Sequence, residues 1–328
     1  MCSFRNIPPL KKAISHNMVE KMYLSKMELI EITKKLNTQR KCIKYLEELR
    51  WENTVVCPYC ESERISSLKK ELRHHCNACN KSFSVTVGTI FESSNLPLPK
   101  WFIAISLILN AKKGISSMQL SRHIKVNKDT AWYLQKRLRE AMDNKKDKLL
   151  KGIVEADETY IGGKVKNKHR KQKLALKAEG KLSTGGMHKT PVLGLLSRKG
   201  KVSTKVIAHA DGTTLKSIIR DRVDRNSVLV SDGFGAYKGL DKEYKEHQVV
   251  NHMQNEYVRG EYHTNNIEGF WSLVKRGIVG QYHKITHKYL QNYLDEFSFK
   301  YNLKGVKNIF DFFLCNALTT NKIKLTTS

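Results

Sequence analysis

Two cysteine pairs set the first constraint on what this chain can fold into. VVCPYC places Cys57 and Cys60 in one CxxC, HHCNAC places Cys76 and Cys79 in another, and fifteen residues lie between the pairs. Each CxxC wraps one edge of an ion, while the intervening hairpin carries the chain back, so four thiolates reach one tetrahedral zinc. Four protein ligands leave no open position. The spacing therefore predicts one structural Zn²⁺ on Cys57, Cys60, Cys76 and Cys79, stabilising a small ribbon. The competing reading, a redox-active CxxC, is disfavoured by two matched pairs in a basic chain. His74 and His75 are expected to be exposed or to face phosphate, replacement of one cysteine ligand by either being the alternative. Cys2, Cys42 and Cys315 have no partner at useful spacing and are expected to be inert.

The balance of 59 Lys and Arg against 31 Asp and Glu gives 328 residues a formal charge of +28. A small anionic substrate does not require that much charge; a polyanion does, because each neutralised phosphate releases counterions. Nucleic acid is the partner this implies; a genome composition that inflates Lys is the alternative. The 40% hydrophobic content fits a folded chain of two or three domains. No apolar run is long enough to span a bilayer, and WFIAISLILNA reads as a buried helix. MCSFRNIPPLKK lacks the apolar core of a signal peptide. The expectation is a cytoplasmic, nucleoid-associated protein with reduced thiols and no membrane contact.

Patterning and the cysteine spacing divide the chain into a helical segment (1–54), a zinc ribbon (55–96), a helical DNA-binding candidate (97–150), an α/β domain (151–302) and a C-terminal tail (303–328). In the third segment SSMQLSRHI, KVN and KDTAWYLQKRLREAM read as helix, turn, helix. Leu120, Ile124, Ala131, Leu134 and Leu138 form its apolar face, Asn127 is the expected cap, and Asp129 suits the first turn. Lys128, Lys136, Arg137 and Arg139 are the expected DNA-contacting residues of a recognition helix. An ordinary helical hairpin is the alternative. KVKNKHRKQKLALKAEGK reads as a basic loop in which Lys164, Lys166, Lys168 and Arg170 grip DNA, or as a solvated insertion.

Carboxylates carry the chemistry. In VLVSDG, Val228, Val230 and Asp232 share one face of a buried strand, with Asp232 at its end. IVEADETYIGG carries Glu155, Asp157 and Glu158 on another strand, and spacing does not choose among them. In HTNNIEGFWSLVKRG, Ile267, Trp271, Val274 and Ile278 form an apolar helical stripe, with Glu268 and Lys275 along its margin. Their seven-residue step is nearly two turns, about 10 Å along the axis, too far for mutual neutralisation. Acids at two strand ends and a helix margin suit two Mg²⁺ (or Mn²⁺) ions about 4 Å apart.

With these motifs the chain resembles insertion-sequence transposases of the group numbered fifteen-ninety-five, also called ISXO-two-like. The resemblance runs from about Trp51 to Asn302 through CPYC with CNACNKSFSVTVGTIF, VEADETYIGGK, SDGFGAY, and HTNNIEGFWSLVKRGI with LDEFSFKYN. It implies an RNase H-like mixed-sheet domain behind a zinc ribbon, and DDE chemistry. Asp157, Asp232 and Glu268 then hold the metal pair, with Lys275 the following lysine and Lys275 and Arg276 on DNA. Asp157 is expected to bridge both ions and the other two acids to take one each. Some relatives are described with Asn as the third residue, and Asn265 is the position associated with that variant. Glu268 is favoured because an anionic oxygen binds Mg²⁺ better than an amide oxygen. The implied function is cleavage at terminal inverted repeats and strand transfer into target DNA, by at least a dimer on DNA. The alternative is a transposase-derived DNA-binding regulator that does not cut. An RNase H-type nuclease acting on hybrids lacks support for reading a 2′-OH.

Overall fold

The computed structural model describes residues 28–52, 54–143, 149–163, 169–178, 189–198, 200–250 and 262–320. The chain forms two compact units, one of Met1–Met142 with Gly305–Ser328, the other of Asp143–Lys304.

The first unit opens with α1 (Leu29–Lys35) and α2 (Gln39–Trp51). Cys42, Ile43 and Leu46 of α2 recur at helical spacing and are buried. Strands β1 (Ile65–Leu68), β2 (Arg73–Cys76) and β3 (Lys81–Phe83) form an antiparallel sheet. Next comes α3 (Leu98–Asn110), with Pro99 in its first turn, where no intrahelical amide bond is lost. Trp101, Phe102, Ile105 and Ile108 bury it almost completely. α4 (Ser117–Ile124) and α5 (Lys128–Glu140) follow as the expected helix-turn-helix. Asn127 caps α5, its side chain accepting from the Thr130 amide at 2.7 Å, and Asp129 lies in the first turn. Leu120, Ile124, Ala131, Leu134 and Leu138 are all buried.

Residues 303–328 are not simply a tail. They contain α10 (Ile309–Thr319), whose Phe310, Phe313 and Leu314 are buried. Phe310 meets Phe102 edge-on at 5.6 Å, and the Tyr45 hydroxyl donates to Asp311. Apolar residues at helical spacing need a partner, and α2 and α3 supply it.

The second unit is built on a five-stranded sheet of order β6-β5-β4-β7-β8. Its strands are β4 (Ile153–Ile161), β5 (Thr190–Ser197), β6 (Val202–Val206), β7 (Val228–Asp232) and β8 (Glu246–Val250). β4, β5 and β6 pair antiparallel, whereas β7 runs parallel to both β4 and β8. Alternation sends Val154, Ala156, Leu193, Leu195 and Leu229 to one face, under Leu215 and Ile219 of α7 (Gly212–Arg222). The opposite face sends Ile161, Val192 and Leu196 against α8 (Asn265–Gly277) and α9 (His287–Asn302). Three antiparallel strands followed by two parallel ones, with helices on both faces, give the RNase H-like mixed sheet.

The basic tract between β4 and β5 is not wholly a loop. Residues Arg170–Ala178 form α6, a run without Gly or Pro that holds Leu174 in solvent. Arg170 is exposed at its first position. Lys164, Lys166 and Lys168 lie outside the described residues, as does Cys2. Among the described residues no helix is long and apolar enough to cross a membrane.

Candidate active site

The parallel ladder between β4 and β7 ends at Ala156 opposite Ser231. Asp157 and Asp232 are the next residue on each strand, so their backbones lie one strand spacing apart, about 4.8 Å. Asp232 ends its strand as the sequence suggests, and its Oδ1 accepts the Phe234 amide at 3.1 Å. Asp157 is not at a strand end. β4 continues to Ile161, paired there with β5 alone, so Asp157 marks where the parallel partner stops. Both acids are half-buried.

α8 brings the third acid. Ile267, Phe270, Trp271 and Val274 are buried against the sheet, while Glu268, Lys275 and Arg276 stay exposed along the helix margin. Ile278, expected on the buried stripe, is half-buried just beyond the helix. Close approach of α8 depends on Gly194, which pairs with Asp157 across β5. A Cβ at Gly194 would overlap Trp271 Cζ2 and lie 2.9 Å from Ile267 Cδ1. The indole therefore packs directly on backbone beside Asp157, which sets Glu268 over the same end of the sheet. Asn265 is exposed at the first position of α8.

The other two acids of β4 are committed elsewhere. Glu155 is fully buried and accepts from the backbone amides of Asn266 and Ile267 at 3.1 and 3.0 Å. It also pairs with the Arg198 guanidinium at 3.0 Å. Glu158 points to the opposite face, where it accepts the Tyr237 hydroxyl. Asp157 is left facing α8. These assignments depend on partners scores of residues away, which local spacing does not contain.

Electrostatics couples the site. The Asp157 carboxyl is pushed up from 3.8 to about 7, by burial first, then by the negative charges of Asp232 and Glu268. The Glu158 amide and the Lys275 charge oppose that rise. Burial likewise pushes Glu158 up to about 7, against its bond from Tyr237. A carboxylate crowded by like charges gains by binding a cation.

A separate cluster lies in the first unit. The four thiols of Cys57, Cys60, Cys76 and Cys79 come within 4.8 Å of one another, which supports a structural zinc there. Each CxxC closes in the same way. Glu61 and Asn80 adopt left-handed φ of 59° and 55°, and their amides return to the Cys57 and Cys76 carbonyls, both at 2.9 Å. Among the described residues no other group of three or more His, Cys, Asp or Glu draws together that tightly. Cys42 and Cys315 are buried thiols pushed up to about 12, by desolvation first.

Several basic residues sit differently from the sequence reading. Arg137 and Arg139 are only 7% and 3% exposed, so neither is available as an outward phosphate contact. Arg137 turns inward, donating to the Glu92 carbonyl at 2.9 Å and lying over the Trp101 ring at 5.4 Å. Its long stem lets a cation leave the polar face that a helical wheel assigns it. On the same helix Lys128 is exposed and Lys136 half-buried. His74 is also buried, not phosphate-facing: its Nε2 meets Glu47 at 2.8 Å and its ring stands edge-on to Trp51. His75 is half-buried, with Nδ1 3.2 Å from Ser82 Oγ.

The ISXO2-like transposase domain family matches residues 149–302, and the transposase zinc-ribbon domain family matches residues 37–82. An uncharacterized protein in transposable element ISH50 of Halobacterium salinarum is 32% identical over 251 residues, spanning 73% of this chain and 83% of that one. An uncharacterized transposase-like protein of Haemophilus influenzae is 29% identical over 110 residues, or 34% of this chain and 88% of its own. Among solved structures, a Mos1 transposase paired-end complex with left transposon end aligns over 67% of this chain and 78% of that chain, at 11% identity and a TM-score of 0.27. With both domain families matched in chain order, and a relative similar across most of its length, the chain belongs to the ISXO2-like transposases of insertion sequences.

Proposed function

We propose that the chain catalyses metal-dependent cleavage at the ends of its own element and joins those ends to target DNA. One observation carries the reading. Acids from β4, β7 and α8 gather where the parallel ladder stops, the end at which open α/β sheets present ligand groups. The donor set suits a pair of Mg²⁺ or Mn²⁺ ions. It is carboxylate-only, and the charges of Asp232 and Glu268 already bear on Asp157. Asp157, Asp232 and Glu268 would hold the pair, with Asp157 the acid on which the other two charges converge. When bound, such a pair activates the attacking oxygen and neutralises charge on the leaving one.

The chain's own residues do the rest by positioning. Lys275, two turns along α8 from Glu268, holds a DNA phosphate beside the reacting one, and Arg276 holds another. In the first reaction water adds to phosphorus and the bond to the 3′ oxygen breaks, leaving a 3′-OH. In the second, that oxygen loses its proton and attacks a target phosphodiester, whose own 3′ oxygen departs. The zinc ribbon and the α4–α5 pair read the terminal inverted repeats, with Lys128 and Lys136 toward phosphate. The basic segment from Lys164 to Lys181 grips flanking or target duplex. Bringing two ends together requires at least a dimer on DNA, in the cytoplasm at the nucleoid.

A strand-transfer assay with Mg²⁺ and duplexes carrying the DNA that flanks the gene tests this. Asp157→Asn and Asp232→Asn are expected to bind those duplexes but neither cut nor join them. Equal cleavage by the variants and the parent refutes the mechanism.

A further inference from the structure

We infer that Glu155, together with Thr264, is a positioning device for the third acid, setting Glu268 against Asp157. The inference rests on the proposed assignment of Glu268 to the reaction.

A helix leaves its first amides without intrahelical partners, and a side chain at the N-cap usually satisfies one of them. α8 does not follow that pattern. Its N-cap, Thr264, supplies no side-chain capping bond. The Asn265 amide turns instead to His263 Nδ1 at 3.3 Å. The amides of Asn266 and Ile267 both donate to Glu155 Oε2, from a strand more than a hundred residues earlier in the chain. The other oxygen, Oε1, accepts from Asn266 Nδ2 at 2.7 Å and Arg198 Nε at 3.0 Å. Arg198 also donates to the His263 carbonyl at 3.1 Å, tying the approach to the helix to the same carboxylate.

This arrangement fixes distances that matter for chemistry. Glu155 and Asp157 are two residues apart on β4 and share a face. Ile267 and Glu268 are adjacent on α8. Bonding Glu155 to the Ile267 amide therefore sets where Glu268 leaves the helix relative to Asp157. Thr264, released from capping, completes the arrangement, its buried hydroxyl donating to Glu268 Oε1 at 2.9 Å. A negative charge at the helix N-terminus is favourable in its own right. A local Ser or Asp cap would supply that, but would not tie α8 to β4.

The test combines amide exchange with cleavage. In Glu155→Gln the volume is kept, but an NH₂ replaces one acceptor oxygen and faces N–H donors. Exchange in a peptide spanning 262–277 should accelerate in the isolated full chain. Cleavage of an element-end duplex should fall about ten- to a hundred-fold, as for loss of a residue that orients a ligand. DNA affinity should hold within about twofold, a loss in kcat rather than in binding. Thr264→Val should lose cleavage and Thr264→Ser retain it, a pair that still tests the device if Glu155→Gln does not fold. Unchanged exchange and cleavage in Glu155→Gln, or full cleavage by Thr264→Val, overturns the inference. If the parent itself does not cut, the proposed reaction fails, while the exchange comparison still tests the anchor.

Discussion

Replacing Asp157 by Asn should make the metal-free protein more stable at pH 8 while abolishing its chemistry. The Asp157 carboxyl rises from 3.8 to about 7 on folding, through burial and the charges of Asp232 and Glu268. The folded state therefore keeps a proton that the unfolded chain releases near pH 4. Stability from this group is full below about pH 4, declines as pH rises toward 7, and is lost above that. At about 1.4 kcal/mol per pH unit, the displacement sets a ceiling of about 4 kcal/mol on the penalty at pH 8. Asn carries no charge at any pH, so the variant escapes that penalty; relaxation around the charged parent reduces the gain to about 1–3 kcal/mol. Glu158, also pushed up to about 7, still titrates, so the decline in the variant is shallower rather than absent. Urea unfolding of fluorotryptophan-labelled protein in Mg²⁺-free buffer reads this directly. The chain has four tryptophans, and Trp271 reports the unit that holds Asp157. Adding Mg²⁺ should stabilise the parent and leave the variant unchanged. A variant equal to or less stable than the parent at pH 8, with the same pH slope, would refute the electrostatic reasoning.

Three further outcomes follow from other residues. Gly194→Ala puts a methyl into Trp271, so it should destabilise the second unit by about 1–3 kcal/mol and depress cleavage by lifting α8; an unchanged urea midpoint would mean the helix does not depend on that approach. Cys57→Ser should lower bound zinc, measured by mass spectrometry of metal content, and cut the thermal midpoint of the first unit without touching the second. Arg137→Ala should reduce stability yet leave the salt dependence of DNA binding intact, whereas Lys128→Ala should lower the slope of log affinity against log salt by about one.

The parts of this molecule legible in the sequence are those set by short-range periodicity. The paired CxxC spacing implied the thiol cluster, and alternating Val and Leu runs implied the strands of the mixed sheet. Ile267, Trp271 and Val274 gave the buried face of α8 and hence the marginal position of Glu268. What escaped depends on contacts between distant segments. Glu155, Asp157 and Glu158 are neighbours in one strand, and only partners on α8, Arg198 and Tyr237 separate their roles. Arg137 lies on the polar side of a helical wheel, yet its stem folds over Trp101. His74 falls beside a zinc pair, where exposure is the natural expectation, but Glu47 on a preceding helix accepts it. α10 reads as a tail because the residues that bury it lie far back in the chain, Phe102 being 208 positions before Phe310.

Counting bound Mn²⁺ by electron paramagnetic resonance tests the central claim most directly, using the zinc-loaded full chain on an element-end duplex. Two ions per chain are expected for the parent, as a pair about 4 Å apart requires. Asp157→Asn should abolish that binding, and Asp232→Asn and Glu268→Gln should each weaken it. The same number of ions, bound equally tightly, in Asp157→Asn would contradict the claim that these acids hold the metal pair.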